Sequence, residues 1–238
     1  MKKALYIISL LSLIVFSCVK KEVPQTEGLL GLEYYPLTQG KFVIYDIDST
    51  VYTELPKDTF TYKYLIKEKI ADSYTDNEGN TAYRMERFIK KFNPAISYEN
   101  MPWTIKEVWM LTATNKHIQM LENNMRYTKL IFPIQEKASW NGNSANTLPE
   151  RVYSYDYVDR TEVINNNKFS NVLRVKQLYY STLISLQDYS EKYGKDLGLI
   201  SREITDLLSN TIDPSKDVKD RIESGIIYKQ TVLTYGYE

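Results

Sequence analysis

Apolar and polar side chains alternate along the chain from Lys41 onward. Every second residue from 60 to 66 is Phe, Tyr or Ile, and Thr61, Lys63 and Lys67 lie on the opposite face. A period of two over this many residues predicts a half-buried β-strand. Turn-forming residues fill 76–80, and the alternation then resumes at Tyr83. The two segments therefore predict a β-hairpin.

Similar alternating segments follow at short intervals, separated by turn-forming residues. They are 105–114, 117–122, 127–132, 152–163, 172–183, 199–208 and 226–237. Because no helical pattern alternates with them, they favour an antiparallel meander over parallel βαβ units. The segments 93–102 and 138–149 are expected to be long loops. We predict an all-β fold in a single domain from 32 to 238, with a curved antiparallel sheet of half-barrel or sandwich-like form.

One short helix is expected near the C-terminus. Asp213 suits an N-cap, Pro214 suits the first helical position, and Gly225 suits the residue after the last turn. Val218 and Ile222 are four residues apart and give a narrow apolar stripe. These signals predict a surface helix over 214–224, just before the last strand.

The N-terminus has the pattern of a secretory signal. A basic start precedes an apolar run that ends at Phe16 and is too short to span a bilayer. The residues from Val15 to Cys18 resemble the lipobox of bacterial lipoproteins. That resemblance implies cleavage after residue 17, lipidation of Cys18 and anchoring to a membrane. Residues 1–17 are then the signal peptide and 18–31 a flexible tether; the alternative is a plain signal peptide with an incidental cysteine.

The residue after Cys18 bears on the destination of such a lipoprotein. In lipoproteins of the kind that this segment resembles, an aspartate directly after the cysteine is the signal for retention in the inner membrane. Here Val19 occupies that position. The resemblance therefore implies the outer membrane, with both the periplasmic and the cell-surface side left open.

A further resemblance covers most of the mature chain. Residues 34–45 contain an aromatic-Pro-Leu-x-x-Gly turn, formed by Tyr35 to Gly40, that leads into a strand. A group of uncharacterised bacterial lipoproteins opens in a similar way, and the Gly-Leu-Ile sequence at 198–200 is also similar to that group. The resemblance implies an all-β, extracytoplasmic lipoprotein and implies no catalytic residue.

Composition narrows the classes of function. The chain has 30 basic and 30 acidic residues, so no charge excess indicates a nucleic-acid partner. One histidine and one cysteine exclude multi-histidine and cysteine-rich metal sites. We expect no metal and no organic cofactor.

Four polar features are candidate sites of chemistry, and three of them have simpler structural explanations. His117 lies in a strand-like segment without a nucleophile motif beside it. Asp46 and Asp48 share one strand face, which could bind Ca²⁺ but is more simply the solvated face. Residues 76–80 resemble a calcium loop only in composition and suit a hairpin turn. Ser49 follows Asp48 in a short segment similar to a bacterial O-glycosylation acceptor.

The strongest candidate for binding is a row of tyrosines. Tyr153, Tyr155 and Tyr157 repeat on one strand face, in a chain with 21 tyrosines. Aromatic faces with a polar tip can stack on sugars or line a peptide groove, and they also pack well in a sheet core. For Tyr155 alone we expect core packing.

Three functions are compatible with these observations. The first is a non-catalytic, lipid-anchored β-domain that binds or scaffolds a protein or glycan at the outer membrane. The second is a carrier of apolar ligands, which predicts an open apolar cavity. The third is a glycan-acting hydrolase, which needs two carboxylates facing each other across a cleft.

Overall fold

The computed structural model describes residues 30–238, and the strands in that range form one twelve-stranded antiparallel sheet. The strands are β1 (Lys41–Thr53), β2 (Asp58–Thr75), β3 (Thr81–Lys91), β4 (Thr104–Ala113), β5 (His117–Glu122), β6 (Met125–Ile131), β7 (Ser139–Asn141), β8 (Val152–Ile164), β9 (Asn167–Ser181), β10 (Ser185–Gly194), β11 (Gly198–Leu208) and β12 (Ser224–Tyr237). The prediction of an all-β antiparallel fold is confirmed. The short strand β7 lies in the segment 138–149, which was expected to be a loop.

The sheet consists of two meanders joined by the pairing of β1 with β12. Its strand order is β6-β5-β4-β3-β2-β1-β12-β11-β10-β9-β8-β7. The edge strands β6 and β7 lie close together, as a hydrogen bond from Trp140 Nε1 to the Thr128 carbonyl at 2.8 Å shows. The Thr128 N–H donates to the Gly142 carbonyl at 2.9 Å. The sheet is therefore curled almost into a closed cylinder with an inner and an outer face.

The first described residues close one end of this cylinder, which we call the plugged end. Leu30, Tyr34 and Tyr35 are buried there, so Leu30 already belongs to the domain although the sequence placed it in the tether. Gly40 ends the segment with a φ of 81°, and a side chain there would collide with the backbone carbonyl of Glu238. Glycine is required at this turn because it tolerates both the positive φ and the close approach.

The opposite end, which we call the open end, carries the three longest connections, 92–103, 142–151 and 209–223. The shorter connections 54–57, 123–124 and 182–184 also lie there. Strands β1 and β2 remain paired toward this end, where Phe60 lies opposite Val51 and Tyr62 opposite Ser49. Phe60 is 41% and Tyr62 50% exposed, so the inner face stays accessible at this end.

The predicted helix over 214–224 is wrong. The segment is a loop with a single 3-10 turn at Val218–Asp220. Val218 is still buried and Ile222 partly buried, but they pack against a cluster that contains Leu207 on the outer face of the sheet. An isolated eleven-residue helix is marginal in water, and two apolar contacts can be made equally well by a loop. No helix between residues 30 and 238 has the length and apolar character needed to cross a bilayer.

Candidate functional site

The interior of the cylinder is divided into an apolar half and a charged half. Toward the plugged end, Tyr45, Leu173, Val175 and Ile200 are at most 1% exposed. The cavity left in that half measures about 30 Å³, roughly the volume of one water molecule. This half is a packed core, and the charged side chains lie between it and the open end.

Glu191 on β10 is the centre of the charged half. It is 1% exposed and accepts hydrogen bonds from Lys129 Nζ at 2.7 Å, Arg202 Nε at 2.7 Å and the Tyr193 hydroxyl at 2.5 Å. Glu122 on β5 pairs with the same Lys129 and Arg202, at 3.3 Å each. Groups from both meanders therefore meet across the interior.

A second cluster of charges lies beside the first. Arg87 on β3 donates from Nε to Glu68 at 3.0 Å and also pairs with Glu107. Its guanidinium lies 3.7 Å from the centre of the Trp109 ring, within the range of a cation–π contact. Arg202 lies 5.8 Å from the same ring, so Trp109 connects the two clusters.

Two adjoining cavities of about 210 and about 260 Å³ border these clusters. Glu122, Asn123, Arg202 and Ile204 line both, and we call the two together the open-end pocket. Its first lobe is also lined by Tyr127, Lys129, Arg151, Tyr153, Gln177 and Tyr189. Its second lobe is also lined by Tyr64, Arg87, Glu107, Trp109 and Tyr228. Together the lobes have the size of pockets that hold small molecules, about 300–1,000 Å³.

Two polar side chains of the first lobe lack a polar partner. Gln177 is 7% exposed, and its amide nitrogen is buried without a hydrogen-bond partner in the described part of the chain. Arg151 forms no ion pair with any residue from 30 to 238, and its guanidinium lies 5.4 Å from the centre of the Tyr189 ring. A buried amide without a partner costs about 1–3 kcal/mol. Both groups are available to a ligand.

The charges in the first lobe hold one another in their ionised forms. Burial alone would raise the pKa of Glu191, but Lys129 and Arg202 outweigh it and lower that pKa to about 2. The pKa of Glu122 is lowered for the same reason. Burial disfavours the charged form of Lys129, yet Glu122 and Glu191 raise its pKa overall. At neutral pH the lobe therefore presents fixed charges.

Of the tyrosines singled out in the sequence, Tyr153 and Tyr155 lie on the inner face, whereas a β-bulge between Tyr155 and Tyr157 breaks the alternation that would place Tyr157 with them. Tyr153, Tyr155 and Tyr157 are 4%, 1% and 7% exposed, so none presents an open ring face to solvent. The Tyr155 hydroxyl donates to the Ile131 carbonyl at 2.6 Å and accepts from the Ile131 N–H at 2.9 Å. Tyr153 lines the open-end pocket, so it is the one of the three that a ligand in the pocket could contact.

The other sequence candidates lie away from the pocket. Asp46 and Asp48 are exposed on the outer face, and residues 76–80 form the turn between β2 and β3, where the Asp76 carboxylate accepts backbone hydrogen bonds. His117 is half-buried on β5, and burial lowers its pKa. Between residues 30 and 238 no cluster of three potential metal ligands occurs. Cys18 lies outside the described residues, so its lipidation stays a prediction.

A signal for the pocket is nevertheless present in the alternating pattern. Glu68 lies two residues from Ile66 and Ile70, and Arg202 lies two residues from Ile200 and Ile204. Since successive side chains of a strand point to opposite faces, these charges must share the inner face with their apolar neighbours. The occurrence of charged residues at inward-facing positions of several strands is the sequence pattern that would have predicted a polar interior.

Comparison with known proteins gives similar structures only at low identity. No family model matches the chain, and no curated protein matches its sequence. A predicted lipoprotein from Parabacteroides distasonis ATCC 8503 is 11% identical over 85% of this chain and 98% of its own, with a TM-score of 0.42. A predicted exported protein with a YmcC-like fold from Bacteroides fragilis NCTC 9343 is 8% identical over the same shares, with a TM-score of 0.43. At these values the likeness establishes neither a family nor a function.

Proposed function

We propose that the protein is a lipid-anchored, extracytoplasmic binding protein that takes a carbohydrate into the open-end pocket. One observation supports this most: the first lobe combines fixed donors and acceptors with aromatic walls, and the buried amide nitrogen of Gln177 in it has no hydrogen-bond partner among residues 30–238.

The chemistry of the first lobe suits a sugar. Each sugar hydroxyl both donates and accepts hydrogen bonds, so neighbouring hydroxyls need donors and acceptors side by side. Glu122 and Arg202 supply both at the boundary of the two lobes, already oriented by their mutual pairing at 3.3 Å. Tyr127 and Tyr189 supply aromatic surface for the apolar side of a sugar ring.

The two other functions fit the interior less well. A carrier of apolar ligands needs an apolar cavity, but the apolar half leaves only about 30 Å³. A hydrolase of the usual kind needs one carboxyl group with a raised pKa as general acid. The pKa values of Glu122 and Glu191 are instead lowered, because Lys129 and Arg202 outweigh the effect of burial.

The anchor is proposed from the sequence. Cys18 in its lipobox-like segment supports lipidation, and Val19 supports the outer membrane, on its periplasmic or its cell-surface side. The chain enters the domain at the plugged end, where Leu30 is buried. Twelve residues, 18–29, precede it and can reach at most about 40 Å. The pocket is then at the end of the domain opposite to the anchor, accessible to a ligand away from the membrane.

Binding can be tested with the full chain in detergent micelles on an array of neutral and acidic saccharides. We expect one class of saccharide to bind, and Gln177→Leu to weaken that binding at least tenfold. The same substitution should leave the melting temperature unchanged or raise it, because it removes an unpaired buried amide. Gln135→Leu, at an exposed site near the plugged end, is the matched control. The proposal is refuted if no saccharide binds, or if Gln177→Leu binds as the unmodified protein does.

A further inference from the structure

Building on the proposed carbohydrate site, we infer that the sugar carries a carboxylate and that Arg151 binds it. The chemical class is a uronic acid or another sugar acid, free or within an acidic polysaccharide. Neither the fold nor the anchor requires this charge on the ligand. The inference follows from how the charges of the first lobe are paired.

Arg151 is the cationic side chain of the first lobe that forms no ion pair with the described residues. The first lobe is lined by three cationic side chains and two carboxylates. Lys129 and Arg202 each pair with both carboxylates, those of Glu122 and Glu191. Arg151 has no ion pair within residues 30–238. The lobe therefore has one positive charge that is not compensated locally.

A further acid beside Tyr189 does not fill this role. Asp206 on β11 accepts hydrogen bonds from the Tyr189 hydroxyl at 2.5 Å and from Gln187 Nε2 at 3.1 Å. It forms no ion pair with Arg151 in the described part of the chain. Tyr189 therefore donates its hydroxyl to Asp206, while its ring lies beside the guanidinium of Arg151.

The position of Arg151 suits a carboxylate. A guanidinium is planar and binds a carboxylate through two parallel N–H···O bonds. Its contact with Tyr189, at 5.4 Å from the ring centre, restricts the orientation of that plane. Arg151 immediately precedes β8, and Tyr153 on that strand also lines the lobe. A carboxylate held by Arg151 would place the attached sugar ring next to Gln177 and the paired charges.

The number of charges distinguishes a carboxylate from a phosphate. One uncompensated guanidinium matches the single negative charge of a carboxylate, whereas a phosphate monoester carries about −1.5 to −2 at neutral pH. The paired carboxylates of Glu122 and Glu191 line the same lobe and would repel the additional charge. We therefore expect sugar acids to bind better than sugar phosphates.

Matched sugars provide the experiment. Isothermal titration of the full chain in detergent micelles would compare glucuronate and galacturonate with glucose and galactose, which differ from them only at carbon 6. Glucose 6-phosphate and the dipeptide alanyl-alanine, which has a free carboxylate and no sugar ring, complete the set. We expect at least one uronate to bind tenfold or more tightly than its neutral counterpart, the phosphate or the dipeptide.

The role of Arg151 is tested by Arg151→Met, which keeps an apolar stem and removes the charge. We expect this variant to lose the preference for the acid and to bind uronate and neutral sugar with similar affinity. The control is Arg160→Met, since Arg160 is exposed and stacks on Tyr157 far from the pocket. A thermal melt of each variant verifies that it is folded, and the comparison of sugars on the unmodified protein does not depend on any variant.

The possible results separate this inference from the proposed function. If neutral sugars bind as tightly as uronates, or if Arg151→Met keeps the preference, the acidic-sugar inference is wrong while carbohydrate binding stands. If glucose 6-phosphate binds more tightly than the uronates, the ligand's anionic group is a phosphate and the inference is wrong. If only the dipeptide binds, both the inference and the proposed carbohydrate function are overturned.

Discussion

Replacing Glu191 by glutamine is expected to lower the melting temperature by about 6–12 °C at pH 7. The substitution preserves the shape of the side chain but leaves Glu122 as the one carboxylate among residues 30–238 that forms ion pairs with Lys129 and Arg202. Lowering the pKa of Glu191 from an ordinary 4.5 to about 2 corresponds to about 3 kcal/mol. Breaking a buried ion pair costs a similar amount, about 3–5 kcal/mol. For a chain of this length, about 3 kcal/mol shifts the melting temperature by about 6–12 °C.

The pH dependence of this difference follows from the direction of the pKa change. Because the pKa of Glu191 is lower in the folded protein, its contribution to stability is complete above an unfolded pKa near 4.5. That contribution decreases as the pH falls and is lost once the pH passes the folded pKa of about 2. The difference between the two proteins should therefore shrink to about half its size at pH 3.

The assay is a thermal melt of both proteins, followed by circular dichroism between pH 7 and pH 2.5. Glu203→Gln serves as the control, since Glu203 is exposed on the outer face of β11 opposite Ser190. A change of less than about 2 °C for Glu191→Gln at pH 7 would contradict the buried network. So would a difference that is equally large at pH 3 and pH 7, because it could not then depend on the charge of Glu191.

Three further predictions concern packing, backbone and anchor. Tyr155→Ala should cost about 3–5 kcal/mol in urea unfolding, as for other large aromatic deletions in a core, and a loss below about 1 kcal/mol would contradict its burial. Gly225→Ala should cost about 1–3 kcal/mol in the same assay, since Gly225 has a φ of 133° and a side chain would strike the Asp206 carbonyl. Cys18→Ser should abolish labelling by a fatty-acid probe in cells, and a variant that still takes up label would refute lipidation there.

The alternating pattern predicted the fold because one face of nearly every strand is buried. In β2 the sequence correctly placed Tyr64 and Ile66 on one face, and both line the interior. It could not predict how far the sheet closes, because closure depends on contacts between distant segments. Trp140, which joins the two edge strands, lies in a segment of 138–149 that has the composition of a loop.

The pocket was not predicted for a different reason. The alternation of polar and apolar residues assigns charged residues to the solvent-facing side of a strand. Arg87 on β3 nevertheless lies two residues from both Met85 and Ile89, at an inner position. Its charge is tolerated only because Glu68 and Glu107 reach it from the neighbouring strands. Those partners are 19 and 20 residues away in sequence. Partners at such separations become visible only when the register of the strands is known.

The arrangement of the pocket couples ligand binding to closure of the sheet. Glu122 and Lys129 belong to the first meander, whereas Glu191 and Arg202 belong to the second, and their pairs bridge the two. A sugar that contacts both sides adds a further bridge that exists only in the closed sheet. At a ligand concentration 100 times its Kd, binding stabilises the folded protein by about 2.7 kcal/mol. We therefore expect the bound sugar to raise the melting temperature by about 5–10 °C. For Gln177→Leu, a tenfold weaker affinity leaves about 1.4 kcal/mol at that concentration, so the same sugar should raise its melting temperature by only about half as much. A bound sugar that leaves the melting temperature of the unmodified protein unchanged would have to bind the unfolded chain equally well, which would refute a site formed by the folded sheet.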